Sequence, residues 1–208
     1  NSLFKKNNFD VVYHIAGQPG VLYSLKNPKS YVLNNTAATK VISQVAKKYS
    51  IKKFIFASSS SVYGDQKKFP ISENFEKKPK NPYAKTKLES EKIVIKTLKK
   101  SKSKYIIFRF FTVYGPYGRP DMFIHKFLYS MKKNKEINIY NSGKNLRDFT
   151  YIDDVSKILI KSLNKKIYNK ILNICRSNPI LTNKLIDLLI SNYSNRKKVK
   201  LNKIDFVE

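Results

Sequence analysis

The chain has little cysteine, few carboxylates and no long apolar run, and each shortage removes a class of protein. A single cysteine, Cys175, rules out an internal disulfide framework and a cysteine-rich zinc site. No apolar stretch approaches the ~18 residues that suggest a membrane span, and KYIIFRFF stops far short. The first eight residues are polar and basic, with no apolar core after them. No secretory signal is therefore expected, and a reducing, cytoplasmic setting is. Only 14 Asp and Glu oppose 42 Lys and Arg in 208 residues, for a formal net charge of +28. Such a charge invites a nucleic-acid reading. The lysines, however, are scattered through KKNN, AKKYSIKK, KTLKKSKSK, KKNKE and NRKKVK. No zinc-finger spacing, RNA-recognition aromatic motif or basic zipper accompanies them. The expectation is no nucleic-acid partner, with the charge left free to steer an anionic small molecule.

A hydrophobic content of 41% can supply a core. Apolar, β-branched runs at 9–15, 53–57, 105–110, 136–140 and 171–174 read as strands. Helical spacing marks 28–48, 82–99, 123–133, a segment from about Asp153, and 182–191. Asn81 is a good cap and Pro82 fits the first helical position, so that helix has a defined start. Residues 64–80 and the stretch from 111 to 121 read as loops. Alternating strands and helices imply an α/β, doubly wound, mostly parallel sheet. In such sheets ligands sit beyond the carboxyl ends of the strands. Three strands end at Ala16-Gly17, at the run Ser58 to Ser61, and at Phe111-Thr112, so these clusters should share one edge.

The strongest chemical signal is Tyr83-Ala84-Lys85-Thr86-Lys87 at a helix start. Positions i and i+4 share a helix face, so Tyr83 and Lys87 can address one ligand. A Tyr hydroxyl ordinarily ionises near pH 10, too high for a base at neutral pH. A neighbouring ammonium and the positive end of the helix dipole both favour the phenolate. Other reactive residue types have plainer readings. His14 suits packing at a strand end, His125 a partly buried helix position, and Cys175 the core. Asp153 and Asp154 lack a His or Cys at ligand spacing, so a helix cap is expected there and no metal site.

HIAGQPGV (14–21), YVLNNTAAT (31–39), FASSSSVYGD (56–65), NPYAKTK (81–87), RFFTVYGPYGRPDMF (109–123) and RDFTYIDDV (147–155) occur in an order that resembles one family. It is the extended short-chain dehydrogenase/reductase family, specifically its nucleotide-sugar epimerases. TVYGPYGRPDM with YNSGKNLRDFTYIDDV looks most like the UDP-glucuronate 4-epimerases. The resemblance implies a Rossmann-like NAD-binding domain over 1–115. It assigns 116–208 mostly to a small substrate-binding part, with some segments returning to the first domain. It also implies NAD as cofactor, a UDP-sugar as substrate, and a homodimer formed through a four-helix bundle near Ala38, Val41, Val45 and Ile93.

Carried over by position, Tyr83 is the base, Lys87 tunes it and binds the nicotinamide ribose, and Ser59 shares the sugar 4-hydroxyl. Ser61 matches a position that contacts the hexose. Ala16, Gly17, Asn35 and Phe111 match positions around NAD. Thr112 and Arg119 match substrate positions, and Arg147 matches a residue that meets the diphosphate, where a guanidinium fork suits phosphate oxygens. An ion pair of Arg147 with Asp148 or Asp153 is the plain alternative.

Related dehydratases place an Asp-Glu pair after the catalytic hydroxyl. Here Ser60 and Ser61 stand there, so no acid is available to protonate a leaving hydroxide. The expected reaction is C4 epimerisation of UDP-glucuronate to UDP-galacturonate through a 4-keto sugar. UDP-glucose or UDP-N-acetylglucosamine is the alternative substrate. A noncatalytic or nucleic-acid-binding remnant is the alternative from another class. One departure from the family bears on that choice: six glycines form no G-x-x-G-x-x-G. With no Met at position 1, the chain reads as a fragment lacking both ends.

Overall fold

The structure is a computed structural model, and it describes residues 1–193 and 201–204. In chain order the elements begin with α1 (Ser2–Lys6), β1 (Val11–His14), α2 (Val21–Lys26) and α3 (Pro28–Tyr31). A π-helical turn, Val32–Ala37, leads into α4 (Ala38–Lys48). Next come β2 (Lys53–Ser59), a 3-10 turn (Ser60–Tyr63), α5 (Pro82–Leu98), β3 (Lys104–Phe110) and β4 (Thr112–Tyr114). Then follow α6 (Phe123–Lys133), β5 (Ile137–Tyr140), β6 (Leu146–Arg147), β7 (Phe149–Tyr151) and α7 (Ile152–Asn164). The last are β8 (Lys170–Ile174), β9 (Ile180–Leu181), α8 (Thr182–Asn192) and β10 (Leu201–Ile204). The chain divides into two compact units, 1–111 with 157–174, and 112–156 with 175–208.

The first unit is built on a four-stranded parallel sheet in the order β1-β2-β3-β8. All seven residues of β2 are buried, which is why KFIFASS shows no apolar/polar alternation: both faces are covered. On one face Phe54, Phe56, Tyr105 and Ile107 pack with Ala46 of α4 and with Val94 and Leu98 of α5. The opposite face meets the end of α7. There the buried Lys53 ammonium donates to the carbonyls of Ser162, Leu163 and Lys165 at 2.6, 2.7 and 3.1 Å, occupying acceptors that the helix end leaves open. Helices on both faces of a parallel sheet make this the doubly wound arrangement that the alternation of elements implies.

Because the strands run parallel, their carboxyl ends fall together. His14 is opposite Phe56 on β2, which in turn is opposite Ile107, and Ser59 is opposite Phe110. The three clusters expected on one edge are on one edge. The helix expected over 28–48 is interrupted by the π-helical turn, with Asn35 buried inside it. The loop expected from 111 to 121 contains the short strand β4.

In the second unit the core is Phe127 and Met131 of α6, Ile137 and Ile139 of β5, and Ile186 of α8. The strand pairs β4-β7 and β5-β10 are parallel, and β6-β9 is antiparallel. After β4 the backbone turns at Gly115 with φ +137°. A Cβ there would stand 2.5 Å from Ile152, so only glycine fits.

Candidate active site

Helix α5 starts where its sequence says it should. The Asn81 side chain accepts from the Ala84 N–H at 2.9 Å, and Pro82 occupies the first turn. This fixes the phase of the helix, so Lys87 lies on the face that meets β2. The Lys87 ammonium is only 6% exposed and donates to the Ala57 carbonyl at 2.8 Å, two residues before Ser59. It lies 5.1 Å from the centre of the Phe56 ring. Burial pulls its pKa down from 10.5 to about 8, and the Glu91 carboxylate works in the opposite direction. Tyr83, one turn earlier, is half-buried, its ring edge-on to Tyr31 at 6.2 Å. The Tyr31 hydroxyl donates to the carbonyls of Pro19 and Gly20, which ties this aromatic pair to the loop after β1.

That loop is held from a second direction by Asn35. Its carbonyl oxygen accepts from the Gln18 N–H at 2.7 Å, and its amide donates to the Gln18 carbonyl and to the Thr86 hydroxyl, both at 3.1 Å. A Cβ on Gly17 would come within 2.8 Å of that Asn35 oxygen and 3.3 Å of the Lys87 nitrogen. Gly17, Asn35 and Lys87 are therefore one cluster, and glycine is needed for their close approach. Ala16 and Gly17 are exposed. His14, buried beneath them, hydrogen-bonds with Thr39 at 2.9 Å. Burial first, and then the Lys87 charge, lower its pKa from 6.5 to about 4, so it is neutral at pH 7.

The serine run faces two ways. Ser59 caps the 3-10 turn, accepting from the Ser61 N–H at 3.2 Å and donating to the Ser61 hydroxyl at 3.1 Å. Ser58 points elsewhere and donates to Glu91 at 2.5 Å. Phe111 is half-buried against the Tyr63 ring, with its N–H on the Ile174 carbonyl.

Residues Thr112, Arg119 and Arg147 belong to the second unit. Thr112 donates its N–H to the Asp148 carbonyl. Arg119 forms a two-pronged pair with Asp121, whose carboxyl it holds below the usual range. Arg147 is exposed. Asp148 is not its partner: that carboxylate is buried and accepts the N–H groups of Arg176 and Asn178 at 2.7 and 3.0 Å. The second acidic candidate, Asp153, sits in the first turn of α7, as a helix start favours. Cys175 is half-buried, near the Ser177 hydroxyl, rather than in the core. Among the described residues no cluster of His, Cys, Asp and Glu could hold a metal ion.

Sequence reasoning missed the buried pair Glu91–Arg109. Arg109 donates from Nε and Nη2 to the two Glu91 oxygens at 2.9 and 2.7 Å, and both side chains are at most 2% exposed. Its Nη1 reaches the Tyr63 hydroxyl and the Glu73 carbonyl. Two signals were available. Glu91 follows Tyr83 and Lys87 at the same four-residue step, and Arg109 is the one charge within the apolar run 105–110.

Comparisons with known proteins agree with this geometry. An uncharacterized protein, MJ1055, of Methanocaldococcus jannaschii is 41% identical over 94% of this chain and 60% of its own length. The UDP-glucuronate 4-epimerase of Thermodesulfobacterium geofontis is 35% identical over 98% of this chain and 64% of its own. The crystal structure of UDP-glucuronic acid 4-epimerase from Bacillus cereus, in complex with UDP-glucuronic acid and NAD, superposes with a TM-score of 0.89. It is 35% identical over 98% of this chain and 64% of that one. The chain thus spans less than two thirds of the length of these relatives. The model of the NAD dependent epimerase/dehydratase family matches residues 1–175. With a Tyr-x-x-x-Lys helix docked on the end of a parallel strand and a sequence match over most of its length, the chain belongs to the NAD dependent epimerase/dehydratase family.

Proposed function

We propose that the protein carries out C4 epimerisation of a UDP-sugar, with UDP-glucuronate converted to UDP-galacturonate. The observation that carries this reading is the Lys87 ammonium on the Ala57 carbonyl, which puts the Tyr83–Lys87 helix face at the serine-bearing end of β2. Two features of the structure fit the nicotinamide-ribose end of NAD: a buried ammonium at the carboxyl edge of a parallel sheet, and an exposed Ala16-Gly17 backbone without side-chain bulk. When bound, NAD would supply reversible acceptance of a hydride from the sugar C4. Tyr83 takes the proton of the 4-hydroxyl, and Lys87 supplies the positive charge that favours the anionic form of that base. Ser59, held by Ser61, offers a hydroxyl to the sugar oxygen. Asn35 and Gly17 fix the loop after β1, and Phe111, packed on the Tyr63 ring, offers an aromatic face at the end of β3. With the other face of the 4-keto sugar presented, Tyr83 would return the proton to the C4 oxygen.

Arg147, Thr112 and Arg119 are assigned to the substrate, Arg147 to the diphosphate. A hexuronate adds a carboxylate that must find donors once it leaves water. Arg119 and the Thr112 hydroxyl can supply them. No carboxylic acid accompanies Ser59 in the serine run, which disfavours dehydration. Glu91, bonded to the neighbouring Ser58, is engaged by Arg109 on both oxygens.

The same reading includes a homodimer, supported by apolar surface at Val32, Leu33 and Val41, which are 54%, 67% and 61% exposed. Ala38 and Ile93 are half-buried, whereas Val45 is already buried in its own unit. A cytoplasmic setting is supported by the single cysteine. Among the described residues, no helix is long and apolar enough to cross a membrane. Steady-state kinetics of the intact protein test the substrate. UDP-glucuronate is expected to exceed UDP-glucose in kcat/KM by at least roughly tenfold, because an unpaired charged group costs ~1–3 kcal/mol or more. Equal efficiency would overturn the hexuronate assignment and leave 4-epimerisation standing.

A further inference from the structure

We infer that the buried Glu91–Arg109 pair is a positioning device for Lys87: it locks the helix face carrying Tyr83 and Lys87 to the end of β2 and sets the charge on the Lys87 ammonium. Tyr83, Lys87 and Glu91 recur every four residues on one face of α5. Two of the three anchor that face to consecutive residues of β2. Lys87 donates to the Ala57 carbonyl at 2.8 Å, and Glu91 accepts from the Ser58 hydroxyl at 2.5 Å. The next residue along the strand is Ser59, so a slip of the helix would move Tyr83 and Lys87 against the serine run.

The carboxylate that makes the second anchor is held from β3. Arg109 grips both of its oxygens, and its remaining nitrogen reaches the Tyr63 hydroxyl, over whose ring the guanidinium lies at 4.9 Å. The Tyr63 hydroxyl donates in turn to Asn173 on β8 at 2.6 Å. Two strands therefore hold the carboxylate directly, with the 3-10 turn and β8 behind Arg109, and none of these bonds is spent on Lys87. The Glu91 charge reaches Lys87 through space instead, opposing the desolvation that pulls the ammonium down to about 8.

The other groups facing Lys87 cannot substitute for it. From β1 comes His14, neutral at pH 7. From β2 come only a carbonyl and the Phe56 ring. Asn35, in the π-helical turn, is uncharged, and Tyr83 shares the helix. Glu91 is thus the one counter-charge among the described groups, with Arg109 set behind it. If the ion pair served only to fill the core, removing its charges while keeping its volume would leave Lys87 unchanged. A buried pair is often replaceable by neutral groups at little cost in stability, so this can be tried.

The device makes Lys87 the proton-sensitive member of the proposed epimerase site and in that sense rests on that reading. Its test does not. The apo chain is pulse-labelled with acetic anhydride across pH 6–10, and acetylation of Lys87 is read by mass spectrometry. The wild-type midpoint is expected at about 8. In Glu91→Gln it should fall to about 7, because an opposing charge is lost and Arg109 is left facing Lys87. Labelling at pH 7.5 would then rise roughly threefold. The double variant Glu91→Gln/Arg109→Met keeps an acceptor for Ser58, removes both charges and guards against misfolding of the single one. Its midpoint should lie between those of wild type and Glu91→Gln. Should the single variant not fold, a double-variant midpoint below wild type still supports the device. Midpoints within ~0.2 of wild type in the folded variants would overturn it. Either result leaves the epimerase reading to its own kinetic test, since neither NAD nor sugar is present.

Discussion

The proposed catalytic groups of the first unit and the proposed substrate arginines of the second differ in how they are held. Lys87, Asn35 and Ser59 are buried and joined to backbone or to each other by hydrogen bonds of 2.7–3.2 Å. Arg147 is exposed, and Arg119 is paired with an acid two residues away in its own loop. The difference separates two tasks. Proton transfer requires groups fixed before the ligand arrives, since a displaced base loses its geometry. Holding a diphosphate requires charge that is free to reorganise around it. Substitutions in the first unit should therefore damage turnover foremost, and those in the second should act on how the substrate is held.

The contrast breaks most visibly at Tyr83. Tyr83→Phe in the intact protein should leave the fold and NAD binding nearly unchanged and lower kcat by about 10² to 10⁴-fold, the range for a positioned proton-transfer group. Retention of most of the rate would remove Tyr83 from the mechanism. Lys87→Ala should both slow turnover and weaken NAD, seen as a raised NAD dissociation constant beside the lower kcat. Unchanged kcat and NAD affinity would leave Lys87 with a structural role only.

Burial in the first unit also predicts a stability effect with a sign. His14 has a folded pKa of about 4 against 6.5 when exposed. Between these values the unfolded chain binds the proton first, so stability is lost as pH falls from about 6.5 to about 4. The full difference is about 3 kcal/mol. In His14→Gln that component should vanish, so the gap between the two urea midpoints should change across this window. A constant gap would mean that His14 is not held neutral.

Smaller effects are expected in the second unit. Arg147→Ala should raise KM for the UDP-sugar by roughly tenfold or more, as loss of a charge-assisted bond implies, with thermal stability unchanged. A fall in kcat with constant KM would show that the arginine is not a diphosphate ligand. Thr112→Ala and Arg119→Ala should erode the preference for UDP-glucuronate over UDP-glucose rather than lower both rates equally. That ratio is read from paired kcat/KM measurements.

The unevenness of the molecule also explains what its sequence made legible. Helix α5 could be placed from Asn81 and Pro82 because a cap is a local interaction, and the four-residue step from Tyr83 to Lys87 comes with the helix. The buried strands β2 and β3 announced themselves through the apolar runs FIFA and YIIF. The π-helical turn around Asn35 did not, because contacts with Gln18 and Thr86, distant in sequence, hold that side chain. Strands of two or three residues such as β4, β6 and β9 carry too few positions to show a period. The Glu91–Arg109 pair joins residues 18 apart, and only the fold says which of many lysines, arginines and acids meet. The substrate roles proposed for Thr112 and Arg147 rest on family motifs.

The central claim is that this site removes and returns the same hydrogen at C4 of a UDP-sugar, with Tyr83 moving only the hydroxyl proton. UDP-glucuronate deuterated at C4, incubated with the intact protein and substoichiometric NAD, tests this directly by NMR and mass spectrometry of the product. The account predicts UDP-galacturonate that keeps its deuterium at C4 and no build-up of reduced cofactor. A product whose C4 deuterium has exchanged with solvent, or one in which C4 is not inverted, would contradict it.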